Sequence, residues 1–300
     1  MLKPTIFREY DIRGVAEVDL AGPDVEVLGR AIGTYLRRRG ATVLNLGRDC
    51  RLSSPVLHDA LAKGLIAAGS RLTDIGVVPT PVLYHSVFDR KAEGAVMITG
   101  SHNPPEYNGF KVMLGQSTIH GDDIQEIRKL IEAGDLDSGE GAIETADAVS
   151  DYVDAVTSRI KLSRRVKAVF DAGNGTAGPV MRAILERLNC DATELYFEMD
   201  GRFPNHHPDP TVEKYLAPLV AAVREQKAEL GVAFDGDSDR VGATDEHGNV
   251  IWGDMLMLIY AREILKRKPG ATFIGEVKCS QALYDEIRRL GGNAIMYRTG

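Results

Sequence analysis

Apolar residues along the chain fall into short β-branched runs that reach a Gly/Asp-rich turn, followed by a helical stripe, a Gly or Asn stop and a second apolar run. The pattern occurs three times. In the first copy, ATVLNLGRD leads to a helix that opens at Ser54-Pro55, carries Leu57, Leu61 and Leu65 on one stripe, and stops at Ala68-Gly69 before RLTDIGVV. Ser before Pro is a favourable N-cap and first helical residue. The second copy runs from VKAVFDAGNGTAG through a helix over PVMRAILERLN to DATELYF. The third runs from ATFIGEVKCS through QALYDEIRRL and Gly291-Gly292 to NAIMY. Strand, helix and strand at this spacing predict right-handed βαβ units, and so tandem α/β domains with mixed or parallel sheets flanked by helices.

Between the first two copies, EAGDLDSGEGAIETADAVSD is acidic, Gly-bearing and poor in apolar residues, which predicts a surface linker over 132–151. A second boundary is expected near Gly248-Asn249, after LGVAFDGDSDR and before a helix beginning near Asp254. The predicted units are 1–148, 149–249 and 250–300. The third has about fifty residues where the others have at least about a hundred, so the chain is expected to stop part-way through a domain. Trp252 and the run from Met255 to Ala261 read as the core of this third unit.

Three hundred residues, at roughly 150 per domain, suit two or three compact units. Lys and Arg total 36 against 43 Asp and Glu, a net charge of −7, so any anion site must be local and a general nucleic-acid surface is excluded. The 31 glycines imply many turns where backbone reaches positive φ or approaches something bound. The opening MLKPTIFREYDIRG has Pro4 and early charges and no apolar h-region, unlike a signal peptide. The longest apolar run is far short of the ~20 residues a membrane span requires. A cytoplasmic protein with no membrane role is expected. Cys50, Cys190 and Cys279 are far apart and lack C-x-x-C spacing, which argues against a disulfide framework or a thiolate zinc site.

Three loops carry chemistry. In VMITGSHNPPEYNGFKV, Ser101, His102 and Asn103 follow a strand that ends at Thr99-Gly100, and Pro104-Pro105 stiffens the exit. The loop presents one hydroxyl at the carboxyl edge of a sheet, where α/β proteins bind ligands, and Lys111 returns on the next strand. In LGVAFDGDSDRVG, Asp235, Asp237 and Asp239 alternate at a strand end, a hard oxygen cluster suited to Mg²⁺, Mn²⁺ or Ca²⁺. Glu246 stands eleven positions after Asp235 as in an EF-hand, but the sixth position is Arg240 and the entry is a β run, so that reading fails. In FREYDIRG, Arg8, Tyr10, Asp11 and Arg13 crowd together. Arg suits phosphate, although a surface ion pair of Asp11 with Arg13 explains the segment as well. Gly173, Gly175 and Gly178 form G-x-G-x-x-G, with Asp191 and Glu194 near the offset for ribose recognition. That would make an NAD-dependent oxidoreductase; the same glycines also serve a tight turn opening a second α/β domain. Adjacent His206 and His207 on a Pro-fixed loop point apart and read as structural rather than as metal ligands.

Together these segments resemble the α-D-phosphohexomutase superfamily, its phosphomannomutase/phosphoglucomutase branch most closely. The resemblance rests on YDIRG at 10–14, GRD at 47–49, VPTP at 78–81, TGSHNPPEYNGFK at 99–111, FPNHHPDP at 203–210 and DGDSDR at 235–240, and spans essentially the whole chain. Ser238 stands where many members have Gly. The resemblance implies tandem domains of that type, the first with the phosphoserine loop and the second with the metal loop, with the third incomplete and a fourth absent. It implies interconversion of hexose 1-phosphate and hexose 6-phosphate, of mannose or glucose, through a phosphoserine enzyme and a hexose 1,6-bisphosphate. Ser101 would carry the phosphoryl group, and Asp235, Asp237, Asp239 and the serine oxygen would hold one Mg²⁺. A phosphoserine and three aspartates exceed the charge of Mg²⁺ by about three, which Arg13, Lys111 and Arg240 offset. His102 and Lys111 are the candidates for proton transfer. Tyr10, Asn103 and Lys278 are expected on the substrate side, and Thr299-Gly300 is expected to begin a further active-site segment. A fragment that binds phosphate and Mg²⁺ but cannot complete the double transfer is the competing expectation.

Overall fold

The computed structural model describes residues 2–299. The first unit contains β1 (Ile12–Val15), α1 (Gly22–Arg37), β2 (Val43–Arg48), α2 (Ser54–Ala67), β3 (Arg71–Val77), α3 (Thr80–Asp89), β4 (Gly94–Ile98), β5 (Tyr107–Leu114), β6 (Ser117–Thr118), α4 (Asp122–Ala133) and β7 (Ala142–Thr145). Its sheet runs β1-β5-β4-β2-β3-β7 with β6 beside β5. Strands β2, β3, β4 and β7 are parallel, and β5 is antiparallel to both β4 and β1. β4 is buried along its whole length, as expected of a central strand covered by helices on both faces. Leu57, Leu61 and Leu65 of α2 are buried, as their stripe predicts. Ser54 is not the cap: it is the first helical residue, Ser53 precedes it without a side-chain cap bond, and the Ser54 hydroxyl donates to Asp49 Oδ1 at 2.6 Å. A buried carboxylate needs donors and takes this one.

α5 (Val149–Arg159) leads into the second unit, made of β8 (Val166–Asp171), α6 (Ala177–Arg187), β9 (Cys190–Leu195), α7 (Ala217–Gln226), β10 (Leu230–Phe234), β11 (Val241–Asp245) and β12 (Val250–Ile251). Its order is β12-β11-β10-β8-β9, parallel on the β10-β8-β9 side and antiparallel on the other. The third unit has α8 (Gly253–Arg267), β13 (Thr272–Glu276), α9 (Gln281–Arg289) and β14 (Asn293–Tyr297), with β13 and β14 parallel. Gly300, of the Thr299-Gly300 pair expected to begin a further active-site segment, lies outside the described residues. The architecture is the mixed α/β arrangement that the apolar pattern predicts. Among the described residues, no helix is long and apolar enough to cross a membrane.

Two expectations are corrected. Residues 132–151 do not form a free linker: β7 adds an edge strand to the first sheet, and α1 holds the preceding segment. Arg30 Nε donates to the Asp137 carbonyl at 2.8 Å, and Arg38 pairs with Asp135 and Asp137. Low apolar content did not prevent pairing, because an edge strand needs only backbone bonds. The run from Met255 to Ala261 is not a buried core. Leu258 and Ala261 pack on Leu283 and Ile287 of α9, whereas Trp252, Met255, Ile259 and Tyr260 are exposed, since a helix beside a two-stranded sheet has one covered face.

The first two units share apolar packing. Val78, Val82, Leu83 and Val87 around α3 join Val153 of α5 and Val180 and Ile184 of α6 in one buried cluster, which brings the carboxyl edges of their sheets together.

Candidate active site

The strand-to-loop exit after β4 places Ser101 at φ 49°, a left-handed conformation uncommon outside Gly. Its amide donates to Thr99 Oγ1 at 2.8 Å and its hydroxyl donates to Asp235 Oδ2 at 2.9 Å. Ser101 is almost wholly buried, and its hydroxyl faces Asp235 of the second unit. Beneath it lies Arg51, fully buried, whose guanidinium donates to the carbonyl oxygens of Ser101, Asn103, Pro104 and Tyr107 and to Asp49.

The β10 exit supplies the carboxylates. Asp235, Asp237 and Asp239 bring one oxygen each within 4.8 Å of one another, and the first two are buried. Thr80 Oγ1 donates to Asp237 Oδ2 at 2.7 Å, and Lys111 Nζ reaches Asp237 Oδ2 and Asp239 Oδ2, each at 2.6 Å. Burial pushes the Asp235 carboxyl up, with Asp237 and Asp239 adding repulsion. Burial also opposes ionisation of Asp237, but the Lys111 ammonium outweighs it and holds that carboxyl low. Asp237 Oδ1 is buried with no hydrogen-bond partner. An oxygen-only donor set with an orphaned carboxylate oxygen fits a hard divalent cation. Ser238 adopts φ 64° in this loop, which explains why Gly suits the position.

The two loops open onto a pocket of about 590 Å³ lined by Arg8, Glu9, Tyr10, Asp11, Arg13, Tyr84, Ser101, Lys111, Thr118, Asp239 and Arg240. Arg8, Arg13, Lys111 and Arg240 gather in its wall, donors of the kind that grip phosphate. The Asp11–Arg13 ion pair exists, but it is not a surface pair: Arg13 is 7% exposed, and its Nε is buried without a partner. His102 Nδ1 lies 3.3 Å from Ser101 Oγ, and burial, with Arg240 adding, lowers its basicity. Burial also lowers that of Lys111, but Asp237 and Asp239 outweigh it and hold the ammonium protonated.

Two sequence candidates stand elsewhere. Asn103 does not line the pocket; its side-chain amide donates to the Gly100 carbonyl at 3.2 Å and closes its own loop. Lys278 is exposed after β13 and pairs with Glu276 at 3.1 Å, outside the pocket, because the turn that carries it belongs to the third unit. His206 Nε2 meets Asp171 Oδ2 at 2.9 Å while His207 Nε2 meets the His102 carbonyl, so the two rings diverge as the loop predicts and His207 braces the serine loop. The glycines of the 173–178 turn pack against neighbouring backbone, as in the tight turn that opens the second domain. A Cβ at Gly178 would run into the Phe197 carbonyl and one at Gly175 would lie 2.7 Å from the Gly236 carbonyl, while Asp191 and Glu194 pair with Arg165 and Arg182. Sequence reasoning missed Arg51, Tyr84 and the role of Thr80. VPTP signalled Thr80; nothing in the local pattern marks an arginine as fully buried.

Three domain descriptions of one family match the chain: "Phosphoglucomutase/phosphomannomutase, alpha/beta/alpha domain I" over residues 4–138, domain II over 150–248 and domain III over 252–300. A phosphomannomutase/phosphoglucomutase of Pseudomonas aeruginosa is 43% identical over 299 residues, covering 100% of this chain and 65% of that protein. A phosphoglucomutase of Neisseria meningitidis is 40% identical, with 98% and 65% covered. The crystal structure of a phosphoglucomutase/phosphomannomutase family protein from Burkholderia thailandensis superposes with a TM-score of 0.97 at 42% identity, over 100% of this chain and 67% of that one. The chain thus spans about 65% of the length of the curated relatives it matches.

Proposed function

The chain belongs to the phosphoglucomutase/phosphomannomutase family, and on that premise we propose that it carries the phosphoserine and metal centre of a Mg²⁺-dependent phosphohexomutase. The reaction is interconversion of a hexose 1-phosphate and its 6-phosphate, mannose or glucose, through a hexose 1,6-bisphosphate. One observation carries the reading: the Ser101 hydroxyl meets Asp235 at 2.9 Å at the edge of a pocket where Arg8, Arg13, Lys111 and Arg240 gather. Phosphoryl transfer depends mainly on positioning and charge stabilisation, which this arrangement supplies.

For loading of the serine from a bisphosphate, Ser101 Oγ forms a bond to phosphorus as the bond to the sugar oxygen breaks. The Oγ proton, directed at Asp235 before transfer, swings to His102 Nδ1 at 3.3 Å, whose lowered basicity keeps it neutral and receptive near pH 7. The sugar oxygen takes a proton from solvent in the open pocket. Lys111 and Arg240 offset charge on the transferred group. Asp235, Asp237, Asp239 and the Ser101 oxygen would hold Mg²⁺, which when bound supplies charge stabilisation and orientation of phosphoryl oxygens. Tyr10 and Arg13 line the sugar side.

The test is incubation of the chain with glucose 1,6-bisphosphate and Mg²⁺, with mass spectrometry of Ser101 and an assay of glucose 1-phosphate conversion. One phosphate on Ser101 is expected, together with loss of at least about a thousandfold in loading rate for Ser101→Ala at unchanged fold. Loading without conversion identifies a chain that performs the first transfer only. No phosphate on Ser101, or undiminished transfer in Ser101→Ala, rejects the reading.

A further inference from the structure

We propose that Arg51 is a positioning residue: its buried guanidinium holds the serine loop in the shape that presents Ser101 Oγ to Asp235. The inference rests on the reading of Ser101 as the phosphate carrier, and concerns a side chain outside the residues that line the pocket. Arg51 reaches the carbonyl oxygens of Ser101, Asn103, Pro104 and Tyr107 at 2.5 to 2.9 Å, and its Nε lies 3.1 Å from Asp49 Oδ2. Four main-chain acceptors on one side of a loop repel one another unless a donor array sits among them. A planar guanidinium offers that array, and a lysine ammonium does not reproduce its fork.

The loop requires such a brace, because Ser101 sits at φ 49°, which side chains disfavour. Asp49 completes the unit by accepting from the Gly100 amide at 3.0 Å and from the Arg51 amide at 3.0 Å. Gly100 leaves space for the guanidinium, which a Cβ there would strike. Phe203 of the second unit lies over the guanidinium, ring centre 5.2 Å from Cζ, so the brace packs against both units.

The experiment compares the full chain with Arg51→Lys, Gly100→Ala and Arg51→Ala. The Gly100→Ala variant displaces the guanidinium without removing it. Amide hydrogen exchange of residues 99–107 is read by mass spectrometry against exchange of β2 and β4, and Ser101 loading is followed against glucose 1,6-bisphosphate concentration. Exchange in the loop should rise at least about tenfold while β2 and β4 keep their protection. Maximal loading should fall about a hundredfold, with the half-saturating bisphosphate concentration within about threefold. Added guanidinium ion, and not ammonium, should restore part of the Arg51→Ala rate. Unchanged loop exchange, a loss confined to half-saturation, or global unfolding of all three variants overturns the proposal, the last by making Arg51 a folding residue. If the unaltered chain takes up no phosphate although its loop is protected, the carrier reading fails, and the exchange comparison alone decides the place of Arg51.

Discussion

Asp237 has one oxygen shared by Thr80 and Lys111 and the other buried without a partner. Removing its charge takes an anionic oxygen from the proposed metal cluster and half of the anchor of Lys111. Asp237→Asn is expected to raise the half-saturating Mg²⁺ concentration for Ser101 loading by about tenfold or more, because affinity at hard-cation sites follows the charge of the donors. A superimposable Mg²⁺ titration would count against the carboxylate cluster as the metal site. Away from the pocket, His58 places Nε2 3.1 Å from Asp74 Oδ2 and Nδ1 3.1 Å from Asp59 Oδ1. Burial lowers the imidazole and Arg48 opposes its charge, but Asp74 and Asp59 outweigh both, so its pKa is raised. A group raised above its unfolded value of about 6.5 stabilises the fold below that pH and loses the contribution as pH rises through the raised value. His58→Gln should therefore lower the Tm more at pH 6 than at pH 8, by about 2 °C or more. Equal losses at both pH values would reject the ion pair as a source of stability.

At the scale of elements, α1 and α2 approach so closely that their backbones touch at glycine. A Cβ on Gly64 would meet the Glu26 carbonyl and the Arg30 amide. Replacing Gly by Ala inside a helix ordinarily gains roughly 0.5–1 kcal/mol through propensity. Here the methyl must push two helices apart, and overpacking costs typically 1–3 kcal/mol or more. Gly64→Ala is expected to destabilise by about 2 kcal/mol net, read as a lower urea midpoint; a raised midpoint would show that the pair can separate without strain. The consequence reaches the site, since α2 begins where Ser54 donates to Asp49 and the Asn108 amide donates to Ser53 and Ser54, and Asp49 accepts from Gly100 of the serine loop.

Across the whole molecule, stability follows the size of each core. The cluster on one face of the first sheet joins residues from Ile6 to Ile127, and a second cluster fuses the first two units through α3, α5 and α6. The third unit has Leu258, Ala261, Leu283 and Ile287 at its centre, two strands, and an apolar face in solvent that includes Ile274, Ile295 and Tyr297. A two-stranded sheet with so small a core is marginal. Amides of β13 and β14 are expected to exchange at least about a hundredfold faster than those of β2 and β4, whose opening approaches global unfolding. Equal protection across the three sheets would overturn this ordering.

Periodicity made the βαβ copies visible, because apolar stripes and strand runs follow local geometry, and it located Leu57, Leu61 and Leu65 correctly. Motif chemistry likewise brought Ser101, Lys111, Arg13, Arg240 and the three aspartates into consideration, since a rigid exit loop and alternating carboxylates leave local signatures. Tertiary structure decided the rest. Only contact between the two sheet edges brings Asp235 to Ser101, sets Lys111 between two carboxylates and leaves Lys278 outside the pocket, for these residues are far apart in sequence. The pairing of 142–145 with β3 and the exposure of Met255 depend on what lies beside them, not on their own hydropathy. Arg51 is the extreme case: a cation is buried only where the fold has already assembled enough acceptors around it, and no stretch of sequence holds that information by itself.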